Sequence, residues 1–302
     1  MSEEPESAGR FDPIDYRGSV PLWNRIDFPT RARIRRIVLH RIPLLIALLI
    51  ILFPVYWVFN SAFLPQDELY RVNPKLFPTE PTLDNFYNLV DNTHIIQYYL
   101  NSLIMSFGVV VLTTVISTLG GYGLTRIDIP LKKTFARGIL FGHMFPAILL
   151  AIPMFIFWRS IGLINSYVGA IFAITAISLP FSLWLMWQFF QSVPYSLEES
   201  AQMAGAPRFR AFYEIALPLA KPGMIAVATY SYAVVWNQFT IPIIILPNEQ
   251  YWPLTIGIFL FTKTDQILWP QIMAAIVMTI IPSLLFVYAL QKYLLRGFRV
   301  SV

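Results

Sequence analysis

The chain of 302 residues is 56% hydrophobic and only 13% charged, with a formal net charge of +5 and a positive mean hydropathy. That is far too little charge to cover a soluble globule of this length, so a soluble enzyme or a soluble binding domain is excluded and the chain belongs in lipid. There is no cysteine, which removes disulfides, thiolate nucleophiles and cysteine metal sites.

In chain order, residues 1–18 form a polar tail. The stretch LWNRIDFPTRARIRRIV follows and is expected in the membrane interface, with Trp23 and Phe28 at headgroup depth. RARIRR suits a juxtamembrane anchor on anionic lipid better than an RNA-binding arm. About 40 mostly polar residues ahead of the first apolar run are too many for the n-region of a cleaved signal peptide. The first span is therefore expected to stay. Residues 1–41 then form a cytoplasmic tail with an interfacial segment, and 42–302 a membrane domain.

Six apolar runs approach the roughly 20 residues that cross a bilayer as helix. They lie at about 42–63, 99–124, 138–157, 166–190, 224–246 and 271–291. None has the alternation of a barrel strand, and backbone groups in lipid must be satisfied internally. The expected fold is an all-α integral membrane protein with six transmembrane helices. Charge orients it. Arg31, Arg33, Arg35, Arg36 and Arg41 precede the first span without an acid among them; Arg126, Lys132, Lys133 and Arg137 follow the second; Lys292, Arg296 and Arg299 follow the sixth. The 64–98 connection instead carries Asp67, Glu68, Glu80, Asp84 and Asp91 against Arg71 and Lys75. Both termini and the 191–222 connection are expected in the cytoplasm, and 64–98, 158–165 and 247–270 outside.

No Asp, Glu, Lys or Arg falls within any of the six runs, although proton and ion carriers place titratable groups there. Of the three histidines only His143 lies within a run, where a hydrogen-bonded structural role is expected. No nucleophile and base pair, phosphate-cradling loop or metal-spaced cluster is visible, so a membrane enzyme is disfavoured. Energy for transport must come from a partner.

The stretch LEESAQMAGAPRFRAFYEIALPLAKPG, 197–223, departs from this apolar background. Ser196 with Glu199 three residues on is a capping-box pattern, predicting a short helix over 197–204 that Gly205 stops. Pro207 suits the first turn of a second short helix. In that helix Phe209, Phe212, Tyr213 and Ala216 fall on one stripe, Arg210 and Glu214 pair on another face, and Pro218 and Pro222 close it. An interfacial connector between spans and a docking element for a partner both satisfy this pattern.

The order Glu199-Ser200-Ala201, Gly205-Ala206 and Ile215-Ala216-Leu217-Pro218 resembles the EAA loop of ABC importer permeases, without a gap in the spacing. PTLDNF at 81–86, NSLIMS at 101–106, GYGLTR at 121–126, FPAILLAIPMF at 145–155, IGLINSYVG at 161–169 and VVWNQF at 234–239 extend the resemblance to the MalG-type subunit of carbohydrate importers, over 42–300. The resemblance implies a permease of type I importer fold that pairs with a second permease and two ATP-binding subunits and takes sugar from an extracellular or periplasmic binding protein. It implies no cofactor on this chain, with ATP and Mg2+ on the partner subunits, and no nucleic-acid partner. The coupling loop would occupy about 194–222, with Glu199, Ser200, Ala201, Gly205, Ala206, Phe209, Phe212 and Tyr213 against the ATPase. Ser200 stands where the family usually has a second alanine and Ala204 where it often has aspartate. Relatives commonly continue beyond the equivalent of Val302 through a short glycine-rich tail.

For a sugar pathway, amides with aromatic rings are the expected chemistry. The fifth run offers Tyr230, Tyr232, Trp236, Asn237 and Gln238, next to Pro242, which is expected to kink its outer end. Interfacial aromatics and polar glue between helices would explain the same residues. The 247–270 connection, with Tyr251 and Trp252, is expected to face the binding protein. Other functions compatible with the sequence are a permease for an amino acid or phosphate, and a membrane scaffold.

Overall fold

The computed structural model describes residues 37–71, 75–128, 130–262 and 267–297, and every regular element among them is helical. The basic cluster at 31–36 and the end of the chain at 298–302 lie outside the described residues. Described residues up to Trp57 form one compact unit and those from Val58 onward another.

A π-helical turn, Ile37–Arg41, leads into α1, Ile42–Ala62, which is apolar on all sides and holds Pro54. In the first unit this helix exposes Leu44, Leu49, Ile50 and Ile51, each about two thirds accessible, as a lipid-facing helix does. The second unit opens with the short helices α2, Gln66–Leu69, and α3, Asp84–Asn92. Buried Asn85 ties α3 to the end of α1 by donating to the carbonyls of Ala62 (2.9 Å) and Leu64 (2.8 Å).

Helix α4, Ile95–Arg126, is the longest element and contains no proline. It packs on α7, Tyr167–Ser192, through small residues that let two backbones approach. A Cβ on Gly121 would lie 2.9 Å from the backbone nitrogen of Trp187, so only glycine permits this crossing. Midway, the hydroxyls of Thr113 and Ser178 meet at 3.1 Å. Their bond satisfies two polar groups that lipid would otherwise penalise.

The third apolar run is not one straight helix. Helix α5, Lys132–Gly142, and α6, Ala147–Ser160, meet at a 93° bend, because Pro146 sits at the start of α6 and cannot continue α5. After α7 come α8, Tyr195–Met203, and α9, Arg208–Leu219, which passes through a π-helical turn at Phe212–Ala216. The chain then bends by 68° into α10, Lys221–Trp236, with Pro222 in its first turn. Pro218 lies inside α9 rather than closing it.

The fifth run also breaks, earlier than its proline. Helix α10 ends at Trp236 and α11 spans Thr240–Ile245. The ring of Pro242 excludes the carbonyl four residues before it, that of Gln238, from a helical bond. Thr255 takes that carbonyl instead, its hydroxyl donating at 2.9 Å. The 247–270 connection is no open loop: it contains α12, Leu254–Leu260, whose Gly257 lies so close to the Tyr98 ring that a Cβ would collide with it. Helix α13, Trp269–Gly297, bearing Pro282, ends the described chain. By length and apolarity α1, α4, α7 and α13 can each cross a membrane, and the count rises to six if each bent pair is one span.

Candidate coupling site

The mixed-charge stretch is organised by where its backbone bonds go. Helix α7 ends at Ser192, and Pro194 stands at the N-cap of α8, so α8 starts at Tyr195 and already contains Ser196. The capping box is therefore not formed. Ser196 sits in the first turn, and its carbonyl accepts the Ser200 hydroxyl at 2.8 Å. Proline, with φ fixed and no N–H to satisfy, displaces serine from the capping position.

The far end of α8 closes by two bonds. Gly205 N–H donates to the Gln202 carbonyl at 2.9 Å and Ala206 N–H to the Ala201 carbonyl at 3.0 Å. This is the nested pair that terminates a helix when the residue past its end is left-handed, and Gly205 has φ +93°. Nothing lies within 4 Å of a Cβ built on Gly205. Its requirement is thus conformational rather than steric. Pro207 then caps α9, its carbonyl accepting from Arg210 N–H at 2.9 Å.

Adjacent residues of a helix are about 100° apart, so the two glutamates of α8 cannot share a face. Glu198 is fully buried and Glu199 is exposed. The Glu198 carboxylate accepts from Arg126 Nε at 2.8 Å and from the Tyr122 hydroxyl at 2.8 Å, both on the last turns of α4. Arg126 also donates through Nη2 to the Val193 carbonyl at 2.9 Å and lies 5.1 Å above the Tyr195 ring. The pair is almost dry, with side chains 10% and 0% accessible. Such a pair is favoured by the further bonds it makes, from Arg126 Nη2 to Val193 and from Tyr122 to the second carboxylate oxygen. Sequence reasoning singled out Glu199 and missed Glu198, Tyr122 and Arg126. The available signal was the Glu-Glu doublet itself, together with an arginine ending the second apolar run.

The aromatic stripe of α9 divides. Phe212 packs on Tyr122, ring centroids 4.5 Å apart, and Ala216 is buried with Met186, Phe190 and Val227. Phe209 and Tyr213 turn outward, 77% and 62% exposed, and stack on each other. Helical spacing alone puts the Phe209 and Tyr213 pair about 60° round the helix from the Phe212 and Ala216 pair. Arg210 and Glu214 pair at 2.9 Å on the outer surface. Between α9 and the end of α4 lies a cavity of about 280 Å³ lined by Tyr122, Arg126, Tyr195, Phe209 and Phe212.

At the other end of α4 a second polar centre forms. Asn101, fully buried, donates to the carbonyls of Gln250 and Trp252, both at 2.8 Å, and accepts from Gln97 Nε2 (2.9 Å) and the Tyr167 hydroxyl (2.7 Å). One residue on, Ser102 accepts the Leu254 N–H at 2.8 Å, and Tyr98 donates to the Glu249 carboxylate. The 249–254 segment is thereby fixed to α4. Trp252 is held inward, its indole donating to the Leu246 carbonyl at 2.7 Å. Tyr251 packs edge-on against Tyr167 beside a cavity of about 510 Å³ that His94, Gln97 and Glu249 also line.

The five residues singled out in the fifth run separate. Tyr232 and Trp236 are buried and stacked, and face α13: Tyr232 lies 4.0 Å from Phe286 and the Trp236 indole donates to the Thr279 carbonyl. Those rings serve helix packing. Tyr230 occupies another face, against Phe181 and within 3.4 Å of His143 Nε2. Asn237 is exposed and donates to the Ala233 carbonyl, and Gln238 spends its carbonyl on Thr255.

Residues 113–300 match the family model described as the binding-protein-dependent transport system inner membrane component. The chain is 31% identical over 245 residues to the diacetylchitobiose uptake system permease protein NgcG of Streptomyces coelicolor, covering 80% of this chain and 81% of that protein. It is 30% identical over 270 residues to the trehalose/maltose transport system permease protein MalG of Thermococcus litoralis, covering 87% and 96%. Among solved structures it resembles a chain from the crystal structure of a bacterial ABC transporter involved in the import of the acidic polysaccharide alginate. That likeness has a TM-score of 0.74 at 23% identity and covers 86% of this chain and 98% of the other.

Proposed function

From the premise that the chain belongs to the family of binding-protein-dependent transport system inner membrane components, and is a transport subunit rather than an enzyme, we propose that it is one permease of an ATP-driven sugar importer. It is a multi-pass membrane protein, and six spans with both termini in the cytoplasm fit its charge distribution best. In this reading a second permease completes the pathway, two ATP-binding subunits hold ATP and Mg2+, and an external binding protein delivers the cargo. Sugar is favoured as the cargo because the relatives named for a substrate are named for sugars. Alternating access follows: closure of the ATPases displaces 194–219 of each permease and reverses the side on which the pathway opens.

The observation that carries this reading is the division of labour in α8. Glu198 spends its charge on α4, while Glu199, Phe209 and Tyr213 are left on the outer surface of the element. Exposed aromatics beside an unspent carboxylate suit a protein cleft with a basic group. Within the fifth run, the pathway role falls to Tyr230 and Asn237, which are not consumed by packing on α13. Tyr251, at the edge of the outer cavity, is the residue best disposed to meet the binding protein, with Trp252 supporting it from within.

The test is purification of this chain with its genomic neighbours. An ATPase should co-purify, and a neighbouring binding protein loaded with its own ligand should stimulate ATP hydrolysis by the complex. Absence of any ATPase from the purified complex would return the chain to the scaffold class.

A further inference from the structure

Helix α4 is clamped at both ends to segments far from it in sequence. At one end Tyr122 and Arg126 hold Glu198 of α8. At the other, Tyr98, Asn101 and Ser102 hold residues 249–254. Its 32 residues give about 48 Å of unbroken helix, of which about 30–42 Å lies between these anchors, enough to cross the hydrocarbon core of a membrane.

No proline interrupts α4. The other three helices long enough to cross a membrane alone carry internal prolines, Pro54, Pro180 and Pro282, and proline is the commonest source of a kink. Three of the four glycines of α4 are braced from α7, and the fourth, Gly123, lies in its last turn between the two clamp residues Tyr122 and Arg126. A Cβ added at Gly108, Gly120 or Gly121 would collide with Ile171, Leu183 or Met186 respectively. The end clamps are stiff as well. Asn101 uses both amide hydrogens and accepts two bonds, which exhausts its capacity, and both carboxylate oxygens of Glu198 are bonded in a nearly dry site.

We propose that α4 is a push rod that carries displacement of the 194–219 element to the 249–254 segment on the opposite face without bending. Glu198 and Asn101 are positioning residues at its two ends. The inference rests on the importer reading, in which the first segment meets the ATPase and the second faces the binding protein. It assigns the coupling between those partners to one helix and two side chains, with each partner biasing the other through the same element.

The absence of native cysteine allows a direct test in the full complex. Spin labels at Met203→Cys and Gln250→Cys, both exposed positions, report the separation of the two segments. In wild-type background one narrow distance is expected, unchanged within about 2 Å between nucleotide-free and vanadate-trapped states. Glu198→Ala and Asn101→Ala should each broaden that distance on trapping and lower stimulation of hydrolysis by the loaded binding protein about tenfold, and together should do no more than either alone. Glu198→Gln keeps one acceptor oxygen for Arg126 Nε, and its NH2 can donate to the Tyr122 hydroxyl oxygen, so it should restore part of the stimulation; a purely electrostatic role would not allow this. A wild-type change of about 5 Å or more, the rise of one helical turn, overturns the rod, as do additive effects of the two alanines or an unaltered distance in both variants. If instead the wild-type complex shows no stimulation by the binding protein, it is the importer reading that fails.

Discussion

Glu198 and Glu199 are neighbours with opposite surroundings: the first is fully buried against Arg126 and Tyr122, and the second is exposed with no hydrogen bond or ion pair among the described residues. Removing each should therefore have a different consequence. Glu198→Ala leaves the Arg126 guanidinium buried without its counter-charge, which costs about 3–5 kcal/mol. Glu199→Ala removes no internal contact and should leave stability within about 0.5 kcal/mol. Thermal unfolding of the purified permease in one detergent measures both, and equal midpoints for the two variants would contradict the assignment.

Much of this was legible in sequence, for physical reasons. Composition alone forces the membrane class, and apolar runs of bilayer length mark the spans, because lipid leaves a helix few alternatives. The Arg210–Glu214 pair and the stop at Gly205 follow from helical spacing and from glycine's access to positive φ. What was not legible depended on contacts distant in sequence. The roles of Glu198 and Asn101 are set by partners 72 and about 150 residues away. The breaks at Pro146 and near Gln238 interrupt runs whose hydropathy is continuous. Tyr232 and Trp236 share a helical face as the spacing required, yet spacing could not say that α13 covers that face.

Orientation is checked by labelling in intact cells. Asp84→Cys and Glu249→Cys should react with an impermeant maleimide added outside, and Arg208→Cys should react only after permeabilisation. All three positions are exposed, so failure to label reports sidedness rather than burial. Labelling of Arg208→Cys in intact cells would reverse the topology derived from the arginine clusters.

Tyr251 and Trp252 should part company. The Trp252 indole bonds the Leu246 carbonyl and packs in two apolar clusters, so Trp252→Ala should destabilise by about 2 kcal/mol or more and reduce basal and stimulated hydrolysis together. Tyr251→Ala, which loses the Tyr167 contact and packing in one cluster rather than two, should lower the melting temperature less than Trp252→Ala and reduce stimulated hydrolysis more than basal. Identical losses for the two variants would show that the segment acts only as a packing element.

The 64–98 connection carries a carboxylate with a defined pH signature. The Thr79 hydroxyl, first, and then Lys75 hold the Glu68 carboxyl below its ordinary value of 4.5. A depressed folded pKa stabilises the segment fully above the ordinary value, and that contribution is lost as pH falls through the depressed one. Hydrogen exchange at Leu69 and Arg71, whose amides bond Pro65 and Glu68, should show constant protection from pH 7 to 5 after correction for intrinsic rates. Protection should fall only below about 4.5. A decline already complete at pH 5 would assign the protection to another group.

The most direct measurement concerns the outward face of 194–219. Glu199→Ala and Gly205→Asp are compared with wild type for membrane abundance, ATPase co-purification and uptake of the ligand found on the neighbouring binding protein. Glu199 supports nothing inside the permease, and Gly205 has open space beside it but a φ of +93° that a side chain resists, so neither change should prevent insertion. The expected result is normal abundance with the ATPase released or uncoupled and uptake lost. Normal uptake in both variants at normal abundance would contradict it, leaving α8 and α9 as a connector between spans.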